Sequence, residues 1–190
     1  MAWKSIAVLL LGLASLNGCE RSIDTRLAAQ AAAEQALGVT PQVFAGKFNT
    51  TLSDVLARRP EPDAARMAPL YAIDPNNLHA GDKQLMLETH VGPSSTTLLG
   101  TLAKNGELKT IGALLAERSQ AASGEFFICA ETIAQVFAPD AAATLPALIK
   151  RLTNNAVNNP GQRLTEVVSG RLLSAEIIPQ GLLFQVEQVQ

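Results

Sequence analysis

Residues 96–117 read TTLLGTLAKNGELKTIGALLAE: two apolar runs flanking Lys104-Asn105-Gly106-Glu107. Asn-Gly between such runs is a strong short-range hairpin signal, because a type I′ turn needs positive φ at both central residues and these two types tolerate it best. The stretch therefore predicts two antiparallel strands. Upstream, QLMLETHV (84–91) alternates, with Leu85, Leu87 and Val91 on one face and Glu88 and His90 on the other. VGPSS (91–95) turns the chain between them, and PLYAI (69–73), ahead of Asp74-Pro75-Asn76-Asn77, reads as a further strand. Together these segments predict an antiparallel meander.

Helices are expected on either side. Thr40-Pro41 is a capping residue followed by a proline at the first helical position. Phe44, Phe48, Leu52, Val55 and Leu56 follow at helical spacing, and the helix ends before RPEPDAAR (59–66). A second helix is expected over Ser123–Phe137, with Phe126, Cys129, Ile133, Val136 and Phe137 as its apolar stripe. A third follows Pro139, capped by Asp140 or Thr144, with Leu145, Leu148, Ile149, Leu152 and Val157 on its buried side. RLTEVVSG, RLLSAEIIP and LLFQVEQVQ then give three strands, the last two joined through Pro179-Gln180-Gly181. The expected class is α+β: an antiparallel sheet with helices packed on one face, built from two helix-plus-meander halves. The layout resembles the pseudo-symmetric folds related to the TATA-binding protein, a likeness of shape that implies no function.

The N-terminus carries a different message. Lys4 precedes an apolar stretch from Ile6 to Leu16 that, as a helix at ~1.5 Å per residue, covers about half of a ~30 Å hydrocarbon core. That length suits a signal peptide. It ends in Leu16-Asn17-Gly18-Cys19, which resembles the lipobox of bacterial lipoproteins. The resemblance covers residues 1–19 and implies cleavage before Cys19, acylation of Cys19, and a membrane anchor without a spanning helix. One acyl chain binds a bilayer marginally and two or more hold it firmly. With Glu20 rather than Asp after the cysteine, the resemblance further implies the outer membrane, facing the periplasm. The expected organisation is a signal peptide at 1–18, a lipidated N-terminus and Ala-rich segment at 19–38 that is either stalk or core, and one periplasmic domain at 39–190. The alternative is an ordinary secretory signal cut near Ala14, which would leave Cys19 free to pair with Cys129, the other cysteine.

Removing the signal leaves 14 of the 15 basic side chains against 17 acidic ones, a net charge of −3. Such a balance gives no electrostatic reason to bind nucleic acid. Trp3, the single tryptophan, is lost with the signal and Tyr71 is the single tyrosine, which disfavours stacking of sugars or bases. Cys129, among Phe126, Phe127, Ile128 and Ile133, is expected as a buried apolar filler.

No serine-hydrolase elbow, zinc-protease helix motif, phosphate loop, dinucleotide fingerprint or C-x-x-C pair occurs. Glu88 and His90 share a strand face, where a carboxylate beside an imidazole suits acid–base work or metal ligation; His79 and Asp82 would have to complete a metal site. The plainer expectation is a hydrated polar strand face, with no cofactor and no metal. A protein-binding lipoprotein, of the immunity, inhibitor or envelope-accessory type, fits the size, the anchor and the missing catalytic motifs. Its expected contacts with a periplasmic protein partner are Glu88, His90, the GPSS turn, and Arg58 and Arg59 in the RRPEPD loop. The alternatives are an envelope enzyme using Glu88 and His90, or a carrier of an apolar ligand lined by Phe44, Phe48, Phe126 and Phe184.

Overall fold

The computed structural model describes residues 36–60, 64–78, 86–117 and 119–189. Helix α1 spans Pro41–Ala57 and starts as its sequence dictates: the Thr40 hydroxyl accepts from the Val43 N–H, with Pro41 in the first turn. Its buried face is Phe44, Phe48, Leu52, Val55 and Leu56.

The segment PLYAI does not form a strand. A 3₁₀ turn at Ala64–Met67 runs into the single helical turn α2, Ala68–Tyr71. Pro69 sits in its first turn, where the missing N–H costs nothing. The extended residues that follow find a side chain instead of a neighbouring strand. Asn49 of α1 donates to the Ile73 carbonyl and accepts from the Ile73 N–H, both at 2.8 Å. One amide side chain thus satisfies both backbone groups of a buried residue, which otherwise would have called for a sheet partner.

The sheet contains β1 (Met86–Val91), β2 (Thr96–Leu102), β3 (Leu108–Leu115), β4 (Leu164–Val168), β5 (Arg171–Ile178) and β6 (Gly181–Gln188), in the order β1-β2-β3-β6-β5-β4. Every neighbouring pair is antiparallel. The two predicted meanders are therefore present, joined through β3 and β6. Between them lie α3 (Gln120–Phe137) and α4 (Leu145–Asn158). The class is α+β, with a helix and a three-stranded meander in each half.

The decisive hairpin is where the sequence places it, with a different turn. Ala103 N–H donates to Glu107 O and Gly106 N–H to Ala103 O, closing a three-residue loop. Gly106 has φ +83°, but Asn105 is not among the non-glycine residues with positive φ. A loop of this kind needs one left-handed position rather than two. Helix α3 begins earlier than expected because Ser119 caps it, accepting from Ala122 N–H at 3.1 Å. At α4 the Thr144 hydroxyl turns back to donate to Ala141 O and makes no cap, while Asp140 lies in the preceding 3₁₀ turn. Val157 points to solvent; the buried side of α4 is Leu145, Ile149, Leu152, Thr153 and Ala156.

One core cluster joins α1, α3 and α4 to a single sheet face that includes Leu87, Leu98, Ile111, Leu173, Phe184 and Val186. Leu37 belongs to it, and Ala36 is buried too. The Leu37 N–H donates to Leu108 O and the Leu108 N–H to Val39 O. Ala36 and Leu37, the end of the Ala-rich segment, are thus packed with the core.

Candidate functional site

Strand alternation places the remaining side chains on the opposite sheet face, and the register sorts them into rows. One row runs His90, Thr97, Leu114, Leu183 and Glu176 from β1 to β5. The next runs Glu88, Leu99, Gly112, Gln185, Ser174 and Thr165. The third runs Met86, Thr101, Thr110, Glu187, Leu172 and Val167. None of these side chains belongs to the core cluster that carries the helices. Leu114 and Leu183 nevertheless pair across β3 and β6 and are only 8% and 7% exposed, while Met86 and Val167 at the two sheet edges are 53% and 57% exposed. The face thus holds a nearly buried leucine pair toward one end of its two central strands and exposed apolar side chains at both edges, with threonines, glutamates and amides between.

Glu88 and His90 lie together on this face, as expected. His90 Nε2 is 3.7 Å from Glu88 Oε1, and His90 Nδ1 is within hydrogen-bonding distance (3.1 Å) of the Thr97 hydroxyl. Both side chains are more than half exposed, so solvent screens the pair. Thr101 and Thr110 hydroxyls bond each other at 2.8 Å, and Arg163 donates to Ser174 and Glu187. Residues 79 and 82, needed to complete a metal site, lie outside the described residues, as does Cys19. Among the described residues no three metal-ligating side chains come together.

Arg58 and Arg59 are not near this face's histidine. They follow α1 and clamp Glu131 of α3: Arg58 donates to Oε1 at 3.2 Å and Arg59 to Oε2 at 2.5 Å. The Glu131 side chain is only 6% exposed. The two arginines therefore serve an internal carboxylate, and the structure does not bring them together with Glu88 and His90.

A second buried carboxylate escaped the sequence reading. Both oxygens of Glu125 accept from the Ser94 N–H, at 2.9 and 2.8 Å, which pins the β1–β2 turn to α3. Gly92 in that turn has φ +78°, and a Cβ there would fall 2.7 Å from the Glu125 carboxylate. The signal was present: Glu125 stands four residues before Cys129, on the apolar stripe of its helix, where an acid demands a partner. Glu125 also acts on its neighbours. Burial, then the Glu125 charge, then Cys129 push the Tyr71 phenol up to about 12. Burial, with Glu125 second, pushes the Cys129 thiol far above the usual range. Cys129 is fully buried and stays a thiol, not a nucleophilic thiolate.

Phe44, Phe48, Phe126 and Phe184 are fully buried within the core cluster, where Phe44 packs on Phe48 and stacks on Phe137. Among the described residues no helix is long and apolar enough to cross a membrane. No family model, curated protein or solved structure matches the chain.

Proposed function

We propose that the chain is a lipid-anchored periplasmic module that holds a protein partner on the sheet face opposite the described helices, as an immunity-type or envelope-accessory lipoprotein would. The observation that carries the reading is the make-up of that face: Met86 and Val167 are exposed at its two edges, with the nearly buried Leu114–Leu183 pair and the polar side chains of Thr97 and Glu176 between them. Exposed apolar side chains set among polar ones are what a protein partner can cover. The exposed Glu88–His90 pair lies at its rim, where charge sets orientation and specificity more than affinity. The anchor rests on the likeness of Leu16–Cys19 to a lipobox.

Two measurements test the two parts. Intact mass of the processed chain should begin at Cys19 and carry added acyl mass; a chain starting elsewhere, or unmodified at Cys19, removes the anchor. A photo-crosslinking residue in place of Thr97 should capture one discrete partner in intact cells, while the same residue in place of Lys47, on the exposed side of α1, should not. Equal capture from both positions, or none from Thr97, rejects the face.

A further inference from the structure

Among the described residues the sheet ends in β1 on one side and β4 on the other, and the two edges are built differently. β1 carries Glu88 and His90 on its open face. β4 carries Thr165 and Val167 there, both exposed and both β-branched. β4 holds no proline and no lysine, and its register with β5 runs without a bulge. Those are the devices that normally keep an edge strand from pairing with another chain. Glu166, the one charge on β4, lies on the helix side and is already paired with Arg151 of α4. α4 packs on β4 from that side, so the strand is held in place from behind.

The β4–β5 hairpin fixes which backbone groups of β4 face outward. Ser169 and Gly170 have φ of +50° and +74°, the two positive values of a type I′ turn. In such a turn the residues on either side, Val168 and Arg171, bond each other. Antiparallel pairs alternate between bonded and unbonded, so Glu166 and Leu164 also direct their backbone groups to β5. Thr165 and Val167 turn theirs away from it. Two N–H and two C=O groups thus line the outer side of β4, and no other described backbone group bonds them.

We propose that β4 is a self-association edge: two copies of this chain join β4 to β4, antiparallel, and double the six-stranded sheet. The outward groups are complementary to their own copy. About a two-fold axis at Glu166, Thr165 meets Val167 of the second copy and Val167 meets its Thr165, so all four groups on each strand are used. The side chains agree with that register. Val167, 57% exposed, comes to lie against Thr165 of the second copy as a β-branched cross-strand pair. On the helix side the two Glu166 carboxylates approach each other, and each brings its Arg151, so they meet as two ion pairs rather than as two bare charges. A five-residue strand makes a small interface, and the dimer forms at high local concentration. The contact requires neither the anchor nor a partner at the sheet face, although Val167 is shared with that face.

Sedimentation velocity of the full chain in a mild detergent, from micromolar to millimolar concentration, tests the proposal. The native chain should pass from monomer to dimer and no further, because the pairing uses up the β4 edge. Val167→Pro removes an outward N–H and leaves the bonds to β5 intact. The dimer then loses two bonds and should form at least about tenfold more weakly. Should that variant melt below the native chain, Val167→Lys supplies an edge charge without touching the backbone and should weaken the dimer likewise. Glu166→Cys places two thiols at the axis and should give a disulfide-linked dimer under mild oxidation, well above the level of the native chain or of Lys47→Cys on α1. A native chain that stays monomeric overturns the assignment. So do proline and lysine variants that associate as the native chain does, or a Glu166→Cys chain that links no better than Lys47→Cys.

Discussion

The two halves of the sheet share a plan and differ in how their helices are held. In the second half, α4 lies directly on β4, β5 and β6, through Leu145, Ile149, Leu152 and Ala156. In the first half, α1 packs on α3 and on the 64–78 segment and makes at most marginal contact with β1–β3; the helix lying on β2 and β3 is α3. The second half is held by apolar burial. The first is tied in addition by polar side chains reaching between elements: Asn49 to Ile73, Glu125 to Ser94, and Glu131 to Arg58 and Arg59. Both buried carboxylates of the described chain serve the first half. A helix pushed one layer away from its strands cannot position their loops by packing alone, and directional bonds do so instead.

The largest expected effect comes from the apolar half. Ile149→Ala removes a fully buried side chain that faces the core cluster and should lower unfolding free energy by about 2–5 kcal/mol in urea denaturation. A cost below that range would mean that α4 is held as loosely as α1, and the contrast would fail. Next comes the polar half. Glu125→Ala leaves the Ser94 N–H without its acceptor and should cost about 1–3 kcal/mol. Glu125→Gln keeps an acceptor oxygen and should recover part of the loss. If the two variants are equally stable, the turn is held by shape and not by this bond.

Alkali separates the halves in a third way. Tyr71 titrates near 10 when unfolded and near 12 when folded, and the Cys129 thiol moves in the same direction. A raised folded value means stability that is complete below pH 10 and is lost as pH rises through 12, about 1 kcal/mol being gone by pH 11 from Tyr71 alone. Urea melts from pH 8 to 11 should show this fall, and Tyr71→Phe should remove most of it. A flat profile in the native protein would contradict the burial of this cluster. The smallest effect belongs to the ion pair of Arg151 with Glu166 in the second half, which is largely exposed. Arg151→Ala should change the melting free energy by no more than about 0.5 kcal/mol. A larger loss would show that polar ties matter in both halves.

Much of this was legible because it was local. Thr40-Pro41 started α1, alternation set the faces of β1, and Asn-Gly fixed the central hairpin. The meander pairing could be inferred from short turns. What was not legible depended on contacts distant in sequence. Asn49 sits in the middle of a helix with nothing to announce that it will stand in for a strand 24 residues away, so from sequence PLYAI reads as extended. Arg58 and Arg59 look like a solvated loop until Glu131, more than 70 residues later, is folded against them. At the site, Glu88 and His90 were placed correctly on one face by period alone, but the Leu114–Leu183 patch needed the β3–β6 register, which links the two meanders and leaves no mark in either.

That register also orients the molecule. Leu37 bonds Leu108 at the start of β3, and Thr110 faces Glu187 near the end of β6, so the first and last described residues lie at the same end of the central strands. The turn at Gly92–Ser95 and the Pro179-Gln180 turn occupy the far end, with His90 close by. A tether attached ahead of residue 36 would therefore act as a mooring line at the stern: the histidine end of the sheet would swing outward from whatever surface holds the chain, and Val189 would trail back toward it.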